Sequence, residues 1–450
     1  MHVPPTYPDR SVAVLGCGYV GLTLAAVMAD VGFKVLGLEI RDDVLKGLER
    51  GEPHFLEPGL KDLLQRLVKQ GRLRFAKHLP DQCDATVFII TVGTPLDDDG
   101  RARVDMVANV AGEVAARLKP NDLVVMRSTV KLGATRNVVM PILNQRGLAY
   151  DLAFCPERTL EGQALVELRY LPQIVGSSTL TAGVRAAQLF QFVTPTTVRV
   201  SGLETAEMIK LVDNTQRDVF FAFSNEVARL CDETGVEAAE VIKAGKLGYP
   251  RTNLPMPGPV GGPCLSKDSY ILAESFEASH VRPDIIIASR RTNERVLGEA
   301  VDRLKRLAIR LSGFPEAPTI SLLGLAFKGR PATDDLRGTT ARPILDALLK
   351  AFPGGRFRGW DAVVGPDAVN AFGLESTSSL EGAMQGVHVA VIANNHPVFA
   401  AMNITALAGD MARPGIIYDF WNNFDGSDLS LPSGVFYASL GGGGSLKGAP

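Results

Sequence analysis

Apolar and polar positions along the chain change their period twice. From Ser11 the sequence reads SVAVLGCGYVGLTLAAVMADVGFKVLGLEI. A continuous apolar run, Val12 to Leu15, predicts a buried strand that enters a glycine turn. A helix is expected from about Val20 to Asp30 and a second strand from Lys34 to Glu39, which makes a βαβ unit. The runs ATVFIITV, DLVVMRSTV and YDLAFCPE are apolar without alternation, as strands of a parallel sheet covered on both faces are. From Leu203 to Thr234 the pattern turns helical, with no glycine or proline, and predicts one long helix. VEAAEVIKAG and DIIIASRRTNERVLGEAVDRLKRLAIR extend this helical middle. After Gly313-Phe314-Pro315 the strand pattern returns in APTISLLGLAFKG, GRFRGWDAV, GVHVAVIANN, GIIYDFWNN and GVFYASLG.

Composition narrows the class. The chain has 450 residues, 46% hydrophobic and 21% charged, a globular profile long enough for two to four domains. The net charge of −2 argues against a nucleic-acid binder, which needs a basic face for phosphates. Five scattered cysteines, Cys17, Cys83, Cys155, Cys231 and Cys264, suggest free thiols in a reducing compartment. With no CxxC and isolated histidines, no zinc site is expected. The opening MHVPPTYPDR lacks an apolar signal core, and no run is long enough for a membrane span. The expectation is a cytoplasmic protein.

Two stretches carry chemistry. Gly16, Gly18 and Gly21 spell GxGxxG, with Cys17, Tyr19 and Val20 between them. The motif follows a buried strand and opens a helix. Gly16 makes the turn, Gly18 admits a pyrophosphate and Gly21 packs helix on strand. Glu39 ends the second strand, where an acid binds ribose hydroxyls and repels a 2′-phosphate, so NAD is expected. The second stretch is GGPCLSKD, residues 261 to 268. GPVGGP cannot form regular helix, which puts Cys264 at a helix start, where a thiol is readily ionised. If that helix continues, Lys267 and Asp268 follow one turn along, able to neutralise charge and activate water. The competing reading is a buried cysteine in a glycine-rich turn. Lys210 and Asn214 share a helix face with Glu207. Spacing alone assigns such a pair to solvated surface.

Together these residues carry a resemblance. The chain resembles the nucleotide-sugar 6-dehydrogenases from about Ser11 to Gly441. The landmarks are GCGYVGL, EPGL (57–60), VGTP (92–95), STV (128–130), CPERTLEG (155–162), the helix with Lys210 and Asn214, VGGPCLSKD and GLAFKGRPATDDLRGT. The resemblance implies an α/β fold: two Rossmann-like doubly wound domains joined by a central helical domain with one long helix. The expected boundaries are a disordered tail over 1–10, an NAD-binding domain over 11–202, a helical dimerisation domain over 203–312, a UDP-binding domain over 313–441 and a flexible tail over 442–450. It also implies a four-electron oxidation of a UDP-sugar C6 alcohol to a carboxylate with two NAD.

In that reading Cys264 forms the thiohemiacetal and thioester, and Lys210 and Asn214 stabilise the oxyanion. Asp268 and Thr129 arrange water, and Glu157 matches a catalytic-loop glutamate. Thr94, Thr129 and Lys267 join the glycine turn (Gly16, Gly18, Tyr19, Val20, Gly21) and Glu39 as cofactor contacts. Glu157, Arg158, Glu161, Lys210, Asn214, Arg251, Gly261, Lys328 and Arg337 are implied for the substrate. Asp334 and Asp335 fit loop capping equally well. YDFWNN (418–423) departs from the family's aspartate-arginine ending. The partners implied are a UDP-sugar and a second copy of the chain, with higher assembly open, and neither nucleic acid nor membrane.

The sugar is only leaned toward. Pro156-Glu157-Arg158 resembles the N-acetylhexosamine members, and ALVELRYLPQIVG (164–176) the mannosaminuronate-forming ones. UDP-N-acetylmannosamine is therefore preferred, with UDP-N-acetylglucosamine and UDP-glucose as alternatives. A single-step NAD dehydrogenase and a non-catalytic NAD-binding regulator are the rival classes.

Overall fold

The structure, a computed structural model, describes residues 2–426 and 429–448. Its contacts gather into two compact units. One holds the residues up to Asn214 together with Tyr270–Arg282; the other holds Thr215–Ser269 and the chain from Pro283 onward. The helical middle of the sequence is shared between them.

The first unit is built on an eight-stranded sheet. Its strands are β1 (Ser11–Leu15), β2 (Lys34–Leu38), β3 (Leu73–Ala76), β4 (Val87–Ile90), β5 (Leu123–Met126), β6 (Asp151–Phe154), β7 (Gln173–Ser177) and β8 (Thr197–Arg199). Their order is β3-β2-β1-β4-β5-β6-β7-β8. Strands β1 to β6 pair in parallel, and β7 turns antiparallel against β6. This is the doubly wound order, with its switch point between β1 and β4. Side chains of β4 alternate between two cores. Val87 and Ile89 pack with Leu22 and Leu24 on one face, Phe88 and Ile90 with Val107 and Val114 on the other. All four are fully buried, each stabilising the fold by roughly 1.5–3 kcal/mol.

The second unit repeats the plan with β9 (Thr319–Leu323), β10 (Arg356–Trp360), β11 (Glu375–Ser376), β12 (Val389–Ile392), β13 (Gly415–Asp419) and β14 (Val435–Ser439). The order β11-β10-β9-β12-β13-β14 is parallel throughout. Two apolar layers again cover its faces. The predicted α/β class with two Rossmann-like sheets and a helical middle is what forms. The long helix runs Leu203–Thr234, and a second, Asp284–Ala308, packs on the helix Ala341–Ala351.

Both tails depart from expectation. Residues 2–10, expected to be disordered, are anchored: the Val3 side chain is buried and its N–H donates to the Val31 carbonyl at 2.8 Å. Asp9 forms an ion pair with Arg185 at 2.6 Å. Met1 lies outside the described residues. Residues 442–448, expected to be flexible, are bonded too. Gly441 and Gly444 donate to the buried carboxylate of Asp232, Lys447 pairs with Tyr437 through its backbone and with Glu237 through its ammonium. The glycines serve turns rather than looseness, since Gly441, Gly443 and Gly444 all have φ near +70°. Residues 449 and 450 lie outside the described residues.

Candidate active site

In the first unit the glycine turn lies at the carboxyl edge of β1, beside the switch point. Gly16 has φ +101°, and a Cβ on Gly21 would sit 1.9 Å from the Gly16 carbonyl, so only glycine lets the helix Tyr19–Asp30 approach this closely. A Cβ on Gly18 or Gly93 would meet nothing within 4 Å, which leaves open space above the helix start. Thr91 ties the turn to β4, its hydroxyl donating to the Gly16 carbonyl at 2.8 Å. Glu39 is buried just past β2 and accepts from the Arg41 backbone and guanidinium. Tyr19 stacks on Phe55 with ring centroids 3.8 Å apart. Open backbone at Gly18, helix N–H groups and a carboxylate on one sheet edge fit a dinucleotide: Gly16, Gly18 and the helix start at Tyr19 and Val20 would face its pyrophosphate, Gly21 lets that helix pack close, and Glu39 would face the ribose.

The loops after β4, β5 and β6 form the rest of that edge. The Thr94 hydroxyl donates to the Thr129 carbonyl, joining VGTP to STV. Glu207 on the long helix accepts from Gly133 and Thr135, at 2.6 and 3.0 Å, so it holds the loop that follows Thr129. Lys210 and Asn214 share its face and are 8% and 7% exposed, not the solvated pair that spacing alone suggests.

Glu157 is buried on the loop after β6. Arg127 donates to it through Nε and Nη2, the latter at 2.6 Å, and to the Cys155 carbonyl and Gln173 through Nη1. Burial alone would raise the Glu157 carboxyl. The Arg127 guanidinium, the Thr159 N–H and Lys210 outweigh it and hold the group below the usual carboxylate range. Arg158 is spoken for in part, with one nitrogen on the Pro172 carbonyl and another 3.5 Å from Asp213. The loop runs on through Glu161 to Gly162, whose N–H donates to buried Glu57 of the EPGL stretch at 2.7 Å.

The second unit carries the thiol. Cys264 is exposed, whereas Cys17, Cys83, Cys155 and Cys231 are buried. Burial pushes the Cys155 thiol up to about 12 and raises Cys17 and Cys231 as well. The turn before Cys264 is tight. Gly262 has φ +90°, its N–H donates to the Gly338 carbonyl at 2.7 Å, and a Cβ there would strike the Phe327 ring. A Cβ on Gly261 would lie 2.5 Å from the Gly338 carbonyl.

The helix after that turn does not continue. It spans only Gly262–Leu265, and Asp268 opens a separate helix, Asp268–Glu274. At the break the Ser266 hydroxyl joins its own N–H on the Gly262 carbonyl, at 2.6 Å, and the Lys267 N–H reaches back three residues to Cys264 rather than four. Lys267 and Asp268 meet nonetheless, as an ion pair at 2.9 Å with Asp268 buried. Arg251 is exposed and lies over the Tyr249 ring, with the Tyr249 hydroxyl at 3.0 Å from its Nε.

On the second sheet, Lys328 follows β9 and sits over the Phe327 ring. Arg337 is gripped by Asp335, its closest contact 2.7 Å, with its side chain 57% exposed. In the departing YDFWNN stretch Asp419 caps the loop, accepting from Trp421, Asn423 and Tyr437.

Arg127, Glu57, Thr91, Asp218 and Arg290 were not singled out by sequence. Arg127 immediately precedes STV and Glu57 opens EPGL, so the motifs brushed both, but their partners lie far along the chain.

Comparison with known proteins follows the same three segments. Residues 10–194 match the NAD binding domain of the UDP-glucose/GDP-mannose dehydrogenase family, 204–295 its central domain and 321–426 its UDP binding domain. The UDP-N-acetyl-D-mannosamine dehydrogenase of Pyrococcus horikoshii is 31% identical over 439 residues, which are 96% of this chain and 99% of that protein. The NDP-N-acetyl-D-galactosaminuronic acid dehydrogenase of Ralstonia nicotianae is 34% identical over 353 residues, 76% of this chain and 80% of that one. A solved structure of UDP-D-ManNAc dehydrogenase from Pyrococcus horikoshii superposes with TM-score 0.87 at 30% identity, covering 97% of this chain and 100% of that one. The chain belongs to the UDP-glucose/GDP-mannose dehydrogenase family and is an NAD-dependent oxidoreductase acting on a UDP-sugar. Among the described residues no helix is long and apolar enough to cross a membrane.

Proposed function

We propose that this member of the UDP-glucose/GDP-mannose dehydrogenase family oxidises the C6 hydroxyl of UDP-N-acetyl-D-mannosamine to the carboxylate, a four-electron change. The observation that carries the chemistry is Cys264: the one exposed cysteine, set in a turn that only glycines allow. The similarity to UDP-N-acetyl-D-mannosamine dehydrogenases supports the sugar.

NAD, when bound, takes up the two electrons removed at each of two oxidations. The chain's residues do the rest. Lys210 receives the proton of the C6 alcohol. The Cys264 sulfur bonds to the aldehyde carbon, and Lys210 and Asn214 donate to the oxygen that turns negative. After the second oxidation Asp268 and Thr129 orient the water that breaks the thioester, which returns the thiol and releases the carboxylate. Glu157, held as an anion by Arg127, serves by keeping its loop in place rather than by moving a proton. Arg158, Glu161, Arg251 and Gly261 bind the sugar end, and Lys328 and Arg337 the diphosphate. Thr94, Thr129 and Lys267 complete the cofactor contacts.

The chain works as a homodimer in the cytoplasm. Phe220, Phe223 and Leu230 on the long helix are 42%, 55% and 62% exposed, an apolar face suited to a second copy. Five free cysteines suit a reducing compartment. The test is a panel of UDP-N-acetylmannosamine, UDP-N-acetylglucosamine and UDP-glucose with NAD, read by NADH formation and product mass. The mannosamine sugar should give the uronate with the highest kcat/KM, and a higher value for either other sugar would overturn the assignment. One NADH per product would favour a single-step dehydrogenase, and none a regulator.

A further inference from the structure

Arg290, on the helix Asp284–Ala308, is a fully buried cation within the second unit, at 2% exposure. Its Nη1 lies 2.7 Å from the Asp218 carboxylate of the long helix. The same Nη1 donates to the Leu265 carbonyl at 2.8 Å, and Nη2 donates to the Val260 carbonyl at 3.2 Å. Those two carbonyls bracket Cys264, one residue after it and four before. Glu294 also faces the guanidinium, at 3.3 Å from Nε.

Further bonds fix the same segment. Asn293, one turn along the helix from Arg290, donates to the Asp218 backbone and carboxylate. Asn225 donates to the Asn293 amide oxygen and to the Gly258 carbonyl, and accepts from the Gly258 N–H. Asp218 also accepts from Ser269, the neighbour of Asp268. A buried, nearly satisfied network thus reaches the thiol turn at Gly258, Val260, Leu265 and Ser269. A buried ion pair of this kind adds little net stability over an apolar replacement, so stability alone gives weak reason for it. What this pair does have is aim: a planar guanidinium spans two carbonyls that an ammonium, a single point of charge, does not.

We infer that Arg290 is a positioning residue for the proposed oxidation, holding the Val260–Leu265 turn so that the Cys264 sulfur stays where the aldehyde carbon is presented. The inference rests on the reading of Cys264 as the covalent nucleophile. Reacting atoms must be held in a near-attack arrangement about 3–3.5 Å apart, and a misplacement of about 1 Å can cost about a hundredfold in rate. Asp218 orients the guanidinium, and Asn225 and Asn293 orient Asp218 and the start of the turn.

The test uses the full chain carrying Arg290→Lys, which keeps the charge but not the fork. KM for UDP-N-acetylmannosamine and NAD should stay within about twofold while kcat falls about ten- to a hundredfold. Hydrogen exchange should quicken in the 258–266 peptide and not in β1 or β9. Should Arg290→Lys fail to fold, Asn225→Ala, which removes the bonds to Gly258 and to the Asn293 amide oxygen and leaves Arg290 itself in place, is used instead, with the same pattern at a smaller loss. Wild-type kcat in either folded variant overturns the inference. So does a loss of kcat shared with a matching rise in KM, or exchange that quickens throughout. If the wild-type chain itself oxidises no UDP-sugar, the proposed function has failed, and the exchange pattern alone still decides whether Arg290 holds this turn.

Discussion

The Arg127 guanidinium closes on the Glu157 carboxylate at 2.6 Å, with the side chains 1% and 8% exposed. The pair joins the end of β5 to the loop after β6. Removing one partner leaves a buried charge alone, which costs about 3–5 kcal/mol. Arg127→Met should therefore lower stability by about that much in urea unfolding, and Arg127→Met/Glu157→Gln should recover more than half of it. A double-variant loss equal to the sum of the Arg127→Met and Glu157→Gln losses would show that the pair is not coupled.

The same pair sets a pH dependence. Glu157 is held below its ordinary value, so its ionised form is favoured in the folded chain. That stability is fully present above about pH 4.3, the unfolded value, and disappears as pH falls through the lower folded value. Thermal midpoints of wild type and Glu157→Gln, followed from pH 7 down to pH 3, should show a constant wild-type advantage that shrinks only in the acid range. An advantage that grows on acidification would mean that the group is raised instead.

Thiol accessibility gives a count. Four of the five cysteines are buried and Cys264 is exposed. A thiol reagent should label one cysteine quickly in the native chain, five after unfolding and none quickly in Cys264→Ser. Two fast thiols in the native chain would contradict this.

The proposed ribose contact of Glu39 makes cofactor choice a test of that residue. Its carboxylate at the end of β2 is buried and already oriented by Arg41. Losing a charged hydrogen bond to the ribose costs about 1.5–3 kcal/mol, so Glu39→Ala should lower kcat/KM for NAD roughly ten- to a hundredfold. NADP, no longer repelled, should gain. Unchanged discrimination between NAD and NADP would remove Glu39 from the cofactor site.

Much of this was legible in the sequence because it is local. The glycine turn of Gly16, Gly18 and Gly21 and the helix from Leu203 to Thr234 are set by neighbours within a few residues. Strands β3 and β8 were not, because LRFA and TVR are short and half-exposed and carry no continuous apolar run. Arg127 with Glu157, and Asp218 with Arg290, are 30 and 72 residues apart and meet only because of topology. Gly441, Gly443 and Gly444 read as loose chain, since composition does not report that their positive φ angles close turns beside Asp232. The break after Leu265 was not legible either, because GPCLSKD carries no glycine or proline after Cys264 to mark it.

Covalent work by Cys264 is tested most directly by counting NADH and product in Cys264→Ser against wild type, with UDP-N-acetylmannosamine and excess NAD. Wild type should release two NADH per uronate, while the serine variant should make no uronate at a comparable rate and stall at the aldehyde level. A serine variant that forms uronate with two NADH at the wild-type rate would contradict the assignment.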